Sequence, residues 1–254
     1  MQLHALLSSF KENVSGDYRL KVLCRYDEKY LKALKEIKDE FQSVIFIDEI
    51  SFQDQVEESV GDDLQAFLVD DIVIKDKVDL SFVSGILSQN DHVLCFSLRL
   101  GLHLKRCYMI DAPQRIPPGM TQGDLFIWDW RQGEHDWGYP LSVDGHVFRA
   151  SDLKSWIKNL KFKNPNQFED ALQILKFSTG RNNCVCFHRS KLVNIPLNRV
   201  QEDYKNRNVG ESVEDLITLW NEGLRFSTNE IFDISNDGVH SDIKMNLTKV
   251  KNAS

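Results

Sequence analysis

Residues 66–71 read Ala66-Phe67-Leu68-Val69-Asp70-Asp71, an apolar run that delivers two adjacent carboxylates. The apolar part predicts a buried strand over residues 66–69, ending on Asp70 and Asp71. In an open α/β sheet, ligands bind beyond the carboxyl ends of the strands. Two neighbouring carboxylates there suit a hard divalent cation, which takes oxygen ligands. Asp also ends strands for local reasons, by turning the chain or capping the next helix.

Working outward, helix and strand signals alternate over the first hundred residues. Leu3, Leu6, Leu7 and Phe10 recur at helical spacing and predict a helix over 2–13. Residues 20–24 read as a short strand. Residues 28–41 carry Tyr30, Leu31, Leu34, Ile37 and Phe41 on one stripe and predict an amphipathic helix. Strands are expected at 44–47 and 93–98, and helices at 52–60 and 80–88. Strands separated by helices imply βαβ units, a mostly parallel sheet and helices on both faces. Residues 101–140 differ. They hold Pro113, Pro117, Pro118 and Pro140 together with Trp128, Trp130 and Trp137, which predicts a packed, irregular excursion rather than a linker. Beyond it, a strand is expected at 145–149, a helix over 152–160 capped by Ser151, a helix over 167–177 capped by Asn166, a strand at 184–187 and a helix over 213–220.

The chain has 254 residues, with 31 Lys and Arg against 38 Asp and Glu, a net charge of −7. That argues against a nucleic-acid partner, because such proteins cluster cations against phosphates. An anionic small ligand would need a local device, namely a helix N-terminus, a few arginines or a metal. With 42% hydrophobic and 27% charged residues, the composition is that of a soluble globular chain read as one domain. No apolar run is long enough to span a bilayer, and the first ten residues lack the basic start of a signal peptide. The five cysteines (Cys24, Cys95, Cys107, Cys184 and Cys186) show no disulfide spacing. They point to reduced, buried thiols and a cytoplasmic location. The sequons at Asn13, Asn246 and Asn252 carry no weight in that setting.

Several loud motifs are missing. There is no P-loop, no dinucleotide fingerprint, no H-E-x-x-H and no G-x-S-x-G. An Asp-x-Asp phosphohydrolase pair is not met either, since Ile72 stands two residues after Asp70.

Five further stretches accompany the acidic pair. They are Ser97-Leu98-Arg99-Leu100-Gly101, Asp136-Trp137-Gly138-Tyr139-Pro140, Ser142-Val143-Asp144-Gly145-His146, Asn164-Pro165-Asn166 and Asn194-Ile195-Pro196-Leu197-Asn198. In these residues and in its element order the chain resembles a small bacterial group of GT-A glycosyltransferases, from the first residue to about 245. The resemblance implies a GT-A-like α/β fold in one domain, residues 1–254. Residues 1–100 would be the nucleotide-binding half, 101–245 the irregular acceptor-side half and 246–254 a polar tail. It implies Mn2+ or Mg2+ held by Asp71 and Asp70, with His240 completing the site; a loop histidine is the alternative for His240. It implies a nucleotide-sugar donor, most often UDP-linked, and an acceptor hydroxyl. A carboxylate must deprotonate that hydroxyl if the reaction inverts, and the candidates are Asp144, Glu169 and Asp136. Asp144 is favoured for its dense motif, although Asp144-Gly145 is also a good turn dipeptide. Arg99 follows an apolar strand at the same edge and could fork onto a phosphate. Trp137 is a candidate sugar-stacking face, whereas Trp128 reads as packing. His146 and His188 have weaker claims. The chain opens on a helix where the family opens on a strand. Base and ribose recognition would then fall to Arg25, Tyr26 and Asp48, at the ends of the first two strands. That departure also motivates an alternative, a nucleotide-sugar binder without transfer activity that serves as a sensor or assembly partner.

Overall fold

A computed structural model describes residues 1–196, 212–228 and 236–250. The architecture is mixed α/β. A six-stranded sheet runs in the order Gly119–Gln122, Leu125–Asp129, Asn183–Phe187, Val93–Ser97, His146–Arg149 and Leu64–Ala66. Side chains alternate across it, as the pleat requires. Phe126, Trp128, Cys184, Cys186 and Phe148 enter one core, while Leu125, Val185, Phe187, Phe96 and Val147 enter the other. Helices Phe52–Ser59, Ala150–Ile157 and Pro165–Leu175 close the first face through Val56, Leu153, Ile157, Phe168 and Leu172. Helices Gln2–Asn13 and Leu80–Gln89 close the second through Leu6, Val83 and Leu87. Helices therefore lie on both faces, as the alternation of elements predicts.

The strand directions correct the expectation of a mostly parallel sheet. Only Asn183–Phe187 and Val93–Ser97 pair in parallel, and every other neighbouring pair in this sheet is antiparallel. Two features cause this. Residues 101–140 are not irregular throughout but contain a hairpin, with Gln122 opposite Leu125 across Gly123-Asp124. Gly123 has φ +60°, the left-handed conformation that a two-residue hairpin loop needs. The strand His146–Arg149 then inserts antiparallel between Val93–Ser97 and Leu64–Ala66.

Two early strands stand apart from this sheet. Lys21–Cys24 and Ile45–Asp48 pair in parallel with each other as a separate two-stranded sheet. They are backed by Leu31–Glu40, whose Ala33 and Ile37 pack with Leu7, Phe41 and Trp220. Another two-stranded sheet joins Ile72–Ile74 to Leu192–Asn194, antiparallel. Helix Gln2–Asn13 satisfies its edge: Ser9 Oγ accepts from the Ile74 N–H, and Asn13 Nδ2 donates to the Ile74 carbonyl at 2.9 Å.

Helix starts also differ in detail. Asn164, not Asn166, caps the helix Pro165–Leu175. Its side chain accepts from the Gln167 N–H, because Pro165 fits the first helical turn, where no donor is needed. The helix after His146–Arg149 begins at Ala150 without a side-chain cap, and Ser151 lies inside it. No helix among the described residues is long and apolar enough to cross a membrane.

Candidate functional site

The acidic pair does not end a strand. The strand stops at Ala66, and Phe67–Val69 leave the sheet edge. Asp70 and Asp71 form the turn that enters Ile72–Ile74. Leu64–Ala66 nevertheless runs in the same direction as Val93–Ser97, so the turn arrives at the carboxyl end of the central strand. Backbone bonds fix three loops there. Gly145 N–H donates to the Phe67 carbonyl at 2.9 Å, Leu98 N–H to the Gly145 carbonyl at 2.9 Å and Lys191 N–H to the Leu98 carbonyl at 2.7 Å. Gly145 has φ +77°, and a Cβ on it would stand 2.3 Å from Leu192 Cδ2. Asp144-Gly145 is thus a genuine turn, and the turn is what brings Asp144 to this edge.

Five of the sequence-predicted residues meet at this edge. Asn194 Nδ2 donates to Asp71 Oδ1 at 3.0 Å and to Asp144 Oδ2 at 3.3 Å. Arg99, almost fully buried, places Nη1 3.6 Å from Asp144 Oδ2 and donates to Ser142 Oγ. Ser142 Oγ donates in turn to Glu169 Oε1 at 2.7 Å, and the Val143 N–H donates to the same oxygen at 3.0 Å. Burial, then the Asp144 and Asp70 charges, push the Asp71 carboxyl up to about 8. Burial and Asp144 likewise raise Glu169. His240 forms a parallel bridge with Asn194 and stacks on Tyr108 with ring centroids 5.5 Å apart. Burial and the Arg99 charge lower it to about 4, so its ring is neutral near pH 7, and its Nδ1 has no hydrogen-bond partner among the described residues. A concavity of about 220 Å3 opens beside it, lined by Arg106, Tyr108, Asp237 and Asp242 as well as His240.

The remaining candidates fall elsewhere. Asp136 is tied to Gln114, accepting from Nε2 at 3.0 Å, and its charge acts on His240. Asp70 is exposed at the turn, with its charge acting on the Met1 amine and on Asp71. Trp137 is a correction. It is fully enclosed, edge-on to Trp128 at 5.0 Å and 84°, so neither face is open to a sugar. Trp128 packs beside it and donates Nε1–H to its carbonyl at 3.0 Å, which agrees with the packing reading. Arg25 is exposed and 3.9 Å from Glu49, while Asp48 lies 3.6 Å from Lys38. With Tyr26 they sit at the end of the separate two-stranded sheet rather than on the six-stranded one. His146 is core, held 3.0 Å from the Pro140 carbonyl, and His188 lies 3.7 Å from Asp124. Asn198, Asn252 and the last residues of the polar tail lie outside the described residues. All five cysteines are free and buried, and burial holds Cys184 and Cys186 well above the usual thiol range.

Two site residues had no assigned role in the sequence reading. Asn194 and Ser142 both stood in quoted motifs, yet neither residue type announces chemistry alone. Only the tertiary pairing shows that Asn194 bridges two carboxylates and that Ser142 joins Arg99 to Glu169.

Whether these residues fit a divalent cation can be judged from their donors. Among the described residues, no three His, Cys, Asp or Glu side chains stand together to share a metal ion. Asp70, Asp71 and His240 are therefore not a ready coordination set. Asp71 and Asp144 do fit. Both are oxygen donors, they share one amide nitrogen, and their like charges oppose each other without a cation. Mg2+ sites often use one or two carboxylates and complete the shell with substrate phosphates and water.

No family model matches the chain, and no curated protein matches it. Among solved structures, a crystal structure of apo UDP-glucose pyrophosphorylase is similar at a TM-score of 0.35 and 13% identity, over 65% of this chain. The chain spans 64% of the length of that protein.

Proposed function

We propose that the protein binds a nucleotide-diphosphate sugar, UDP-linked, with Mn2+ or Mg2+, and transfers the sugar to an acceptor hydroxyl. The observation that carries this reading is the pairing of Asp71 with Asp144 on Asn194, beside Arg99, at the carboxyl end of the central strand. An acidic protein can take a diphosphate there because two carboxylates would hold the cation that the diphosphate needs. The cation, when bound, neutralises charge developing on the diphosphate leaving group.

The chain's own residues divide the remaining work. Asp71 and Asp144 would hold the cation, a reassignment of Asp144 from base to ligand. Arg99 sits beside the Asp144 oxygen and bonds Ser142, and through them it positions Asp144 and Glu169. Glu169 takes the acceptor proton. Its raised affinity for a proton suits a general base, and the Ser142 and Val143 donors hold it in place. Asp136 is left with a role in positioning through Gln114 and His240. Neutral His240 faces the open concavity, where it can donate or accept at a phosphate or sugar oxygen.

Calorimetric titration with UDP and Mn2+ tests the reading. Binding is expected for the wild type, with loss in Asp71→Ala. Glu169→Gln should keep binding and lose sugar transfer. No binding of UDP at millimolar concentration with Mn2+ would sink the proposal. The separate two-stranded sheet that carries Arg25, Tyr26 and Asp48 favours a second reading, a nucleotide-sugar binder without turnover. Transfer of sugar to any acceptor eliminates that second reading.

A further inference from the structure

We infer that the Asn194 side-chain amide is a third oxygen donor to the cation, and that it turns over when the cation binds. This rests on the Asp71–Asp144 site proposed above. Asn194 is completely enclosed, and its backbone is held on both sides. Its N–H donates to the Val239 carbonyl at 3.0 Å, and its carbonyl accepts from the Ser241 N–H at 2.9 Å. The side chain therefore has one remaining freedom, rotation of the terminal amide. The Nδ2 group faces Asp71 and Asp144, and Oδ1 is buried with no hydrogen-bond partner among the described residues. A buried carbonyl oxygen without a donor is disfavoured and calls for an explanation.

An amide has nearly the same shape in both orientations, so a half-turn exchanges oxygen for nitrogen with little movement of neighbours. After the half-turn, Oδ1 would occupy the position 3.0 Å from Asp71 Oδ1 and 3.3 Å from Asp144 Oδ2. Three oxygens so close repel one another unless a cation lies among them. Around an octahedral cation with bonds of about 2.1 Å, oxygens at neighbouring corners stand about 3 Å apart. The two distances from Asn194 to the carboxylates match that spacing. Two carboxylates and one amide oxygen make a site for a hard divalent cation. They also explain why no third acidic or imidazole ligand is needed.

The test is Mn2+ binding followed by the electron paramagnetic resonance of free Mn2+, without nucleotide, on wild type, Asn194→Asp and Asn194→Leu. Asn194→Asp keeps an oxygen and should bind at least as tightly as wild type. Asn194→Leu removes it and should bind on the order of ten-fold more weakly. Circular-dichroism melting in chelator establishes that each variant folds. A second readout is the side-chain NH2 pair of Asn194 in 15N-labelled wild type, which should shift when Mg2+ is added and its carboxylate bonds are lost. A folded Asn194→Leu that binds Mn2+ like wild type overturns the role of Asn194 and leaves the Asp71–Asp144 site standing. So does an Asn194→Asp that loses binding, or an NH2 pair that does not move. A wild type that binds no Mn2+, with or without UDP, overturns both.

Discussion

Asp71→Asn should stabilise the cation-free protein at neutral pH while abolishing its response to Mn2+. The size follows from the site. The Asp71 carboxyl is held near 8 by burial, Asp144 and Asp70, against 3.8 in an unperturbed chain. Between those values the folded chain keeps a proton that the unfolded chain has released. The unfolded state then binds fewer protons, so stability falls as pH rises from about 4 to about 8, and levels off above. One proton corresponds to about 1.4 kcal/mol per pH unit, and the full displacement to a ceiling of ~6 kcal/mol. Asp71 keeps some contact with solvent, and screening reduces the measurable part to ~3–5 kcal/mol. Asparagine can accept the same Asn194 bond and has no proton to lose. The stability of Asp71→Asn minus that of wild type should therefore grow from near zero at pH 4 to a plateau above pH 8. His240 runs the other way. Its lowered affinity for a proton makes stability rise with pH between about 4 and 6.5, but that contribution is common to both chains and cancels in the difference. Urea unfolding at several pH values in chelator measures the difference. Repeating it with Mn2+ should stabilise wild type and leave Asp71→Asn unchanged. A difference that is flat across pH would refute the like-charge, buried description of Asp71.

Three other substitutions probe the frame around the site. Gly145→Ala combines a left-handed φ of +77° with a Cβ 2.3 Å from Leu192 Cδ2, and chemical unfolding should show a loss of ~2–4 kcal/mol. Arg149 donates to the carbonyls of Leu87, Asn90 and Val93, closing the end of helix Leu80–Gln89. Arg149→Met should leave these groups short of donors and cost ~2–4 kcal/mol, with early amide exchange at that helix end. Trp137→Ala should cost ~3–5 kcal/mol of stability, because it empties a fully enclosed core position. In calorimetry at a temperature where the variant is folded, its affinity for UDP should stay within about two-fold of wild type, since Trp137 offers no face to a ligand; a larger loss would return Trp137 to the site.

The sequence by itself determined where most elements run and which apolar stripes the helices bury. The helices at Gln2–Asn13, Phe52–Ser59, Leu80–Gln89 and Val213–Asn221 follow from the 3.6-residue spacing of their apolar side chains, a local property. It also marked Asp71 and Arg99 by their place after apolar runs, while Asp144, Glu169 and His240 were singled out by the family resemblance. Strand partners were not legible, because pairing depends on residues far apart in the chain. The hairpin over Gly119–Asp129 had a readable signal in Gly123-Asp124, hidden by the surrounding prolines and tryptophans. The antiparallel insertion of His146–Arg149 had none, since a four-residue strand with two central apolar residues has the same pattern in either direction. Tertiary structure alone decided that Trp137 is core, that Arg25 and Asp48 belong to a separate sheet, and that one asparagine holds Asp71 and Asp144. The physical reason is the same in each case. Exposure, like-charge opposition and the sharing of a donor are properties of neighbours in space, and a one-dimensional pattern carries them only where those neighbours are also close in the chain.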